Sequence, residues 1–239
     1  MDIFRVSRAD AEQARGIVIT IDVIRAFSVA GYAFAGGALG LWLVRTVEEA
    51  LALRSRDPEA LLAGEIGGRL IPGFDLNNSP TRICATDLCG RRIIQRTGAG
   101  TQGAASAINA TVILPCALTN ARATATYART RARASGEAIT LLPTALFQDQ
   151  TYWNEDKICA DYVEALIREQ DDEAVTILAQ GIAHLHATNR FEQWQTEEAD
   201  FPSQDIAAVL DADRFNFVMT GTQQTWQGMT YVDVQRTDT

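Results

Sequence analysis

The sequence predicts an α/β protein, a mostly parallel sheet with helices on both faces. Short apolar runs alternate with helix-patterned segments along most of the chain, the mark of βα units. The 239 residues are 47% apolar, enough to bury a substantial core, and are long for one domain but short for two. No internal repeat, low-complexity tract or linker interrupts the pattern, so 1–239 reads as a single α/β domain.

The elements follow in order. "GIVITID" (16–22) reads as a buried strand ending on an aspartate, and "RAFSVAGYAFAGGA" as the small-residue helix behind it. "LWLVRT" (41–46) is the next strand, "VEEALALRSR" an amphipathic helix, and "LLAGE" (61–65) a strand ending on a carboxylate. The loop "IGGRLIPGFDLNNSP" comes next; its Ser79-Pro80 suits a helix N-cap followed by proline at the first helical position. "RRIIQRT", "TVILP" (111–115) and "AITLLPT" read as strands separated by helices. After Pro143 the irregular "TALFQDQTYWNED" leads into a helix near 155–169, whose Glu155 and Asp156 suit the positive end of the helix dipole. Residues 172–212 read as helical throughout, and "RFNFVMT" and "MTYVDVQ" as added edge strands.

Charge and composition exclude several classes. A net charge of −9 argues against nucleic-acid or acidic-membrane binding. No window approaches a transmembrane span, and the N-terminal "MDIFRVSRADAEQARG" lacks the apolar core of a signal peptide. A soluble, cytoplasmic protein is expected, with a homo-oligomer left open. The cysteines at 84, 89, 116 and 159 form no C-x-x-C pair and no zinc spacing with His184 or His186, so reduced thiols are expected. Residues 88–136 hold seven arginines and no acid, whereas 151–213 are heavily acidic. An acid-free, Arg-containing segment suits a small anionic ligand, although Arg129, Arg131 and Arg133 read as one helix's solvated face.

That segment contains "RTGAGTQGAAS" (96–106), whose glycines at 98, 100 and 103 spell G-x-G-x-x-G. A dinucleotide site needs an acid after the following strand. Here "TVILP" is followed by Cys116-Ala117-Leu118-Thr119-Asn120, and the dinucleotide reading fails. Two readings stay open: backbone N–H groups offered to an anion near a helix N-terminus, or a tight turn with close strand–helix packing.

Open parallel sheets bind ligands outside the carboxyl ends of their strands. The polar residues at those ends are Asp22 and Arg25, Glu65, Thr97–Thr101 and Asn120. The loop after Glu65 adds Asp75, Asn77, Asn78 and Ser79, and a later helix opens with Glu155-Asp156. Carboxylates from separate segments converging with an arginine are what a hard divalent cation and a phosphorylated substrate require. Two other phosphatase chemistries fit less well. The aspartyl-phosphate type wants D-x-D, and "IDVIRA" has one aspartate; the cysteine type wants C-x5-R, a spacing that Cys116 and Arg122 satisfy without the loop's glycines.

The strings "GEIGGRLIPGFDLNNSP", "VITIDVIRAFSVA", "RTGAGTQGAASA", "LTNARA", "NEDKICADYVEAL" and "DIAAVLDADRFNFVM" resemble the 2-phosphosulfolactate phosphatase family over nearly the whole chain. The resemblance implies a magnesium-dependent phosphatase with its own α/β fold, removing phosphate from 2-phospho-3-sulfolactate, a step toward coenzyme M in methanogens. The matched positions are Asp22, Arg25, Glu65, Gly73, Asp75, Asn78, Ser79, Pro80, Gly100, Thr101, Asn120, Glu155 and Asp156. Asp22, Arg25, Glu65 and Asp75 are the expected catalytic residues, and, as an inference from the strand-end carboxylates that the resemblance does not itself settle, Asp22, Glu65, Asp75 and Asp156 are the expected Mg²⁺ ligands. Asp22 and Glu65 should therefore lie close together. Arg25 and the backbone N–H groups of 98–101 would neutralise transition-state charge, while Asn78, Ser79, Gly98, Gly100, Thr101 and Asn120 would bind the small anionic substrate. The chain departs from the family in two polar positions: Ile66 follows the motif glutamate where arginine is usual, and Ala99 replaces an asparagine. Both departures remove donors for an anionic group, which keeps a non-catalytic or diverged member binding a small anion as the alternative.

Overall fold

The computed structural model describes residues 1–145, 153–195 and 198–238. Its first half contains β1 (Ile3–Arg5), β2 (Gly16–Ile21), α1 (Ala26–Ala35), β3 (Gly40–Val44), α2 (Val47–Arg56), β4 (Leu61–Ile66) and β5 (Arg69–Leu70). There follow α3 (Pro80–Cys84), β6 (Arg92–Arg96), α4 (Gly100–Ser106), β7 (Ala110–Cys116), α5 (Ala121–Ser135) and β8 (Ile139–Pro143). The last third holds α6 (Glu155–Ile167), α7 (Asp171–Ala187), α8 (Gln204–Leu210), β9 (Phe217–Trp226) and β10 (Met229–Asp238). Most of the irregular stretch expected after Pro143 falls at 146–152, outside the described residues.

Among the described residues, ten strands form one mixed, mostly parallel sheet in the order β1-β8-β2-β7-β9-β10-β3-β6-β4-β5. The α/β class is as the sequence predicts. The last two strands are not where the sequence put them. Instead of lying at an edge, β9 and β10 form an antiparallel hairpin in the middle, between a parallel block β1-β8-β2-β7 and a second block β3-β6-β4. The reason lies in how little of the hairpin is paired outward. β9 meets β7 only at Gly221–Ile113, and β10 meets β3 through Val232–Val234. Phe217, Val218, Met219, Val232 and Val234 are buried there, while the polar residues around 222–230 run on as an exposed two-stranded ribbon. Those polar residues dominate the sequence pattern. Gly221 permits the crossing, since a Cβ there would lie 2.7 Å from Val232 Cγ1 and 3.3 Å from the Ile113 carbonyl.

Three successive antiparallel ladders separate the two blocks, so their strands run in opposite senses along the sheet. In a flat sheet the carboxyl ends of β2 and β4 would sit on opposite rims. Six strand-to-strand steps lie between them, and at about 20–25° of twist per step they accumulate roughly 120–150°. The sheet turns one block over the other, and segments following β2, β6 and β8 meet. A Cβ on Gly103 would stand 2.5 Å from Thr144 Cγ2, and one on Gly100 2.7 Å from Asp22 Oδ2.

The curl also explains α1. Nine of its ten residues are buried, packed with α4 residues against one face of the sheet. A helix apolar all round belongs in a core, and its alanines and Gly31 let neighbours approach closely. The other face carries α5 and α6 over the first block and α2 over the second. A capping box fixes the start of α2: the Glu49 N–H donates to Thr46 Oγ1 and the Thr46 N–H to Glu49 Oε2, both at 3.1 Å.

The expected continuous helix over 172–212 is broken. α7 ends at Ala187, Asn189 takes a left-handed conformation (φ 53°), and helix resumes at α8 after Pro202. Between them Phe191, Trp194 and Phe201 turn inward onto Ile158 and Leu185 as a fourth apolar cluster. Burying three aromatic rings outweighs continuing a largely exposed helix. No described helix is long and apolar enough to cross a membrane.

Candidate functional site

Asp22 follows β2 directly. Its Oδ1 accepts the Ala26 N–H at 3.0 Å, closing the first turn of α1, and the carboxylate also accepts the Gly100 N–H. Glu65, near the end of β4, accepts the Gly98 N–H on Oε1 at 2.5 Å and the Gly68 N–H on Oε2 at 2.7 Å. The glycine-rich turn thus cradles two of the protein's own carboxylates. This corrects the expectation that the Gly98 and Gly100 N–H groups face the substrate. Both glycines are needed for the approach, because a Cβ at 98 would lie 3.2 Å from Glu65 Oε1 and one at 100 only 2.7 Å from Asp22 Oδ2.

The third acid comes from α6. Asn154 caps that helix by accepting the Lys157 N–H at 2.9 Å, which sets Glu155 and Asp156 in its first turn. Asp156 Oδ1 accepts the Val23 N–H at 2.8 Å, so it stands at the strand end beside Asp22. Glu155 takes Arg190 in a two-point pair, Nε at 2.8 Å and Nη2 at 2.5 Å. Asp22 is 5% exposed and Asp156 3%. Burial pushes the Asp22 carboxyl up to about 6, opposed by the Ala26 N–H and reinforced by the charges of Glu65 and Glu155. Burial, followed by the charges of Asp22 and Glu155, holds Asp156 well above the usual carboxylate range. Neither forms a salt bridge among the described residues. No three acids there close into an all-protein cation cage.

A cleft of about 280 Å³ opens over Asp22 and Glu65. Asp22, Glu65, Asn78 and Ala99 line its polar side; Arg190, Trp194 and Phe201 stand on the wall from the broken-helix segment. Arg25 reaches the cleft, but its charge is already matched. Its Nη1 donates to Asp205 Oδ2 at 2.7 Å and to the Asp200 carbonyl at 2.8 Å, and Nη2 to the Gly68 carbonyl at 3.0 Å. The guanidinium is 5.7 Å from the Trp194 ring centroid and 5.2 Å from that of Phe201, with the side chain only 3% exposed. Arg25 holds the aromatic wall in place instead of presenting its charge to a ligand.

Six expected site residues do not line the cleft: Asp156 and Gly100, which adjoin the Asp22 turn, and Asp75, Ser79, Thr101 and Asn120, which are engaged elsewhere. Asp75 accepts the Leu62 N–H at 2.8 Å and pairs with Arg54 at 2.7 Å. That is the amino end of β4, and Glu65 is at the other. Ser79 is fully buried, donating to Asp205 Oδ1 at 2.9 Å while capping α3. Thr101 is also buried, its Oγ1 accepting the Thr97 N–H at 2.8 Å. Asn120 shapes the turn from β7 into α5, accepting the Ala117 N–H and donating to Pro115 O and Thr124 Oγ1. Asn78 does line the cleft, where its Oδ1 accepts from Gln95 Nε2 at 3.1 Å. Of the two departures, Ala99 faces the cleft and Ile66 does not; Ile66 is 55% exposed opposite Arg69 in the β4–β5 hairpin. The cysteine arrangement dissolves: Cys116 is buried, and Arg122 pairs outside with Asp171 and Asp213.

Sequence reasoning missed Arg190, Trp194, Phe201 and Asp205. They fall in the stretch read as one helix, where Asn189, the clustered aromatics and Pro202 were the available sign of a break.

The model of the family described as 2-phosphosulpholactate phosphatase matches residues 3–224. A probable 2-phosphosulfolactate phosphatase of Bacillus subtilis is 34% identical over 204 residues, covering 85% of this chain and 86% of the relative. A protein of that name from Deinococcus radiodurans is 44% identical over 113 residues, 47% of each chain. One from Gloeobacter violaceus is 30% identical over 182 residues, 75% of each.

Proposed function

Since the chain belongs to the 2-phosphosulpholactate phosphatase family, we propose that its cleft hydrolyses a small phosphorylated acid of the 2-phosphosulfolactate type, with Mg²⁺ as cofactor. The observation that carries this reading is the pair Asp22 and Asp156: two buried carboxylates side by side, pushed toward protonation, with no salt-bridge partner among the described residues. Buried charge of this kind calls for a compensating cation. The donors are all oxygen and only two need be protein carboxylates, which suits Mg²⁺, an ion that keeps waters and takes substrate phosphate as further ligands. Asp22 and Asp156 would hold it, with Glu65 alongside. Bound there, the ion would polarise the phosphoryl group and offset its charge.

The chain's own residues do the rest. The Gly98 and Gly100 N–H groups fix Glu65 and Asp22 before substrate arrives, so no reorganisation is needed at the moment of reaction. Glu65 is more open to solvent than either aspartate and is the carboxylate placed to take a proton from attacking water. Trp194 and Phe201 restrict water on the far side, and Asn78 contributes polar contact. Ala99, lacking the side-chain donor usual in the family, favours the second reading, an anion-binding member without turnover.

Phosphate release from 2-phosphosulfolactate, 2-phospholactate and phenyl phosphate, with Mg²⁺ and with chelator, tests the proposal. Release should need the cation and fall roughly 100-fold or more in Asp22→Asn and Asp156→Asn. Release that survives both the chelator and these substitutions would overturn it; anion binding with no release would establish the second reading.

A further inference from the structure

β6 runs through Ile93 and Ile94 and then carries Gln95, fully buried between Leu43 of β3 and Ala63 of β4. A buried amide costs stability unless its atoms are paired, and only half of this one is. Nε2 donates to the Ala26 carbonyl at 2.9 Å and to Asn78 Oδ1 at 3.1 Å. Oε1 has no partner among the described residues. Methionine would fill the same space without leaving an acceptor unpaired, so what the amide supplies lies in the two bonds from Nε2.

Those bonds decide which way round the Asn78 amide sits. A carbonyl oxygen only accepts, so Ala26 obliges Gln95 to present its nitrogen there and not Oε1. The second hydrogen on that nitrogen needs an acceptor, which obliges Asn78 to present Oδ1. Asn78 Nδ2 is left on the far side of the amide, with no acceptor among the described residues and without being sealed from solvent. Asn78 lines the cleft, and the chain of hydrogen bonds therefore offers the cleft a donor. The orientation matters because Asp22 and Glu65 line the same cleft. The reversed amide would add a carbonyl oxygen to two carboxylates at the place an anion has to enter. Ala26 ties the donor to the acids: its N–H holds Asp22 Oδ1 at 3.0 Å while its carbonyl holds Gln95.

Resting on the phosphatase reading, we propose that Gln95 is a positioning residue: it locks the Asn78 amide with its nitrogen toward the cleft, where Nδ2 donates to a phosphoryl oxygen. Gln95 itself touches no ligand. Glutamate, nearly the same shape, would turn the Asn78 amide over. A neutral glutamic acid has one O–H, which the Ala26 carbonyl takes, and an ionised one has none. Either form shows Asn78 an acceptor, so Asn78 turns Nδ2 inward and Oδ1 toward the cleft.

The test is a double-mutant cycle on Gln95→Glu and Asn78→Ala. Calorimetric titration with inorganic phosphate in the presence of Mg²⁺, and KM for phosphate release from 2-phosphosulfolactate, are measured for the four proteins. Gln95→Glu should weaken phosphate binding and raise KM roughly 10- to 100-fold, the loss of a charge-assisted donor, and Asn78→Ala should do the same. Added to Asn78→Ala, Gln95→Glu should change either quantity by less than about threefold, because no amide is left to turn. A structural role for Gln95, or a general effect of a new buried acid, would carry its full penalty into the Asn78→Ala protein. Gln95→Met frees the amide without reversing it and should weaken phosphate binding only about two- to tenfold; it takes the place of Gln95→Glu in the cycle if that variant does not fold. Phosphate binding by Gln95→Glu equal to wild type, a penalty undiminished beside Asn78→Ala, or a wild type that binds no phosphate would overturn the proposal. If the cycle couples in the titration but no ester is hydrolysed, the phosphatase reading fails and Gln95 keeps its role in anion binding.

Discussion

Replacing Asp22 by asparagine should make the metal-free protein more stable at alkaline pH while abolishing turnover. Burial lifts this carboxyl from the ordinary 3.8 to about 6, a difference worth roughly 3 kcal/mol. The folded protein binds the proton more tightly than the unfolded chain. Below about pH 3.8 the buried group therefore costs nothing; the cost grows as pH rises to about 6 and persists in full above it. Asparagine does not ionise, but its single acceptor cannot serve both the Ala26 and Gly100 N–H groups, which costs about 1 kcal/mol. The balance at about pH 8 favours Asp22→Asn by about 2 kcal/mol, roughly 4–8 °C in Tm for a chain of this size. Near pH 4 the lost hydrogen bond dominates and wild type should lead by a few tenths to about 1 kcal/mol. Urea unfolding in chelator at the two pH values measures both. A stability difference independent of pH would refute the reasoning, whatever its sign, because the effect is assigned to a proton.

Other outcomes follow from the same geometry. On the proposed assignment Mg²⁺ should raise Tm more at about pH 8 than at about pH 5, since it would compete with protons for Asp22 and Asp156; thermal scans across that range with and without the ion check it. Gly100→Ala pushes a methyl against Asp22 Oδ2 and Ala26 Cβ. It should cost about 1–3 kcal/mol in a denaturation curve and, by displacing the carboxylate, roughly 100-fold in phosphate release. Asp75→Asn should leave turnover within about twofold and lower stability by no more than about 1 kcal/mol, because it breaks a partly exposed pair with Arg54 far from Glu65.

Strand ends were the part of the site legible from residues alone. Asp22 and Glu65 each close an apolar run, and a carboxylate at that position either finds donors or costs energy. Side-chain direction was not legible. Asp75 and Glu65 belong to one motif, yet the loop returns along β4 and hands Asp75 to the Leu62 N–H at the opposite end. The glycine spacing announced donors near an anion without saying that the anion would be the protein's own. In the fold, the polar residues of 222–230 resemble an edge because they project past the sheet, and no local pattern reveals that Phe217–Met219 and Val232–Val234 join its two blocks. The break after α7 had local signs, but its consequence, an arginine and two aromatic rings over the cleft, depends on Glu155 and Arg25, which lie outside that stretch.

The central hairpin also imposes an order of events on biosynthesis. Asp22 and Glu65 belong to blocks that share no ladder with each other, and the strands bridging them are Phe217–Trp226 and Met229–Asp238. Chains emerge from the ribosome at about 5–20 residues per second, so every cleft residue is made and waiting seconds before those strands exist. Until then Glu65 stays apart from Asp22, Glu155 and Asp156, which share the other block through β2 and α6. The two hairpin strands bring Glu65 to the other three, so the fourth negative charge joins the cluster only when the scaffold that confines it is in place.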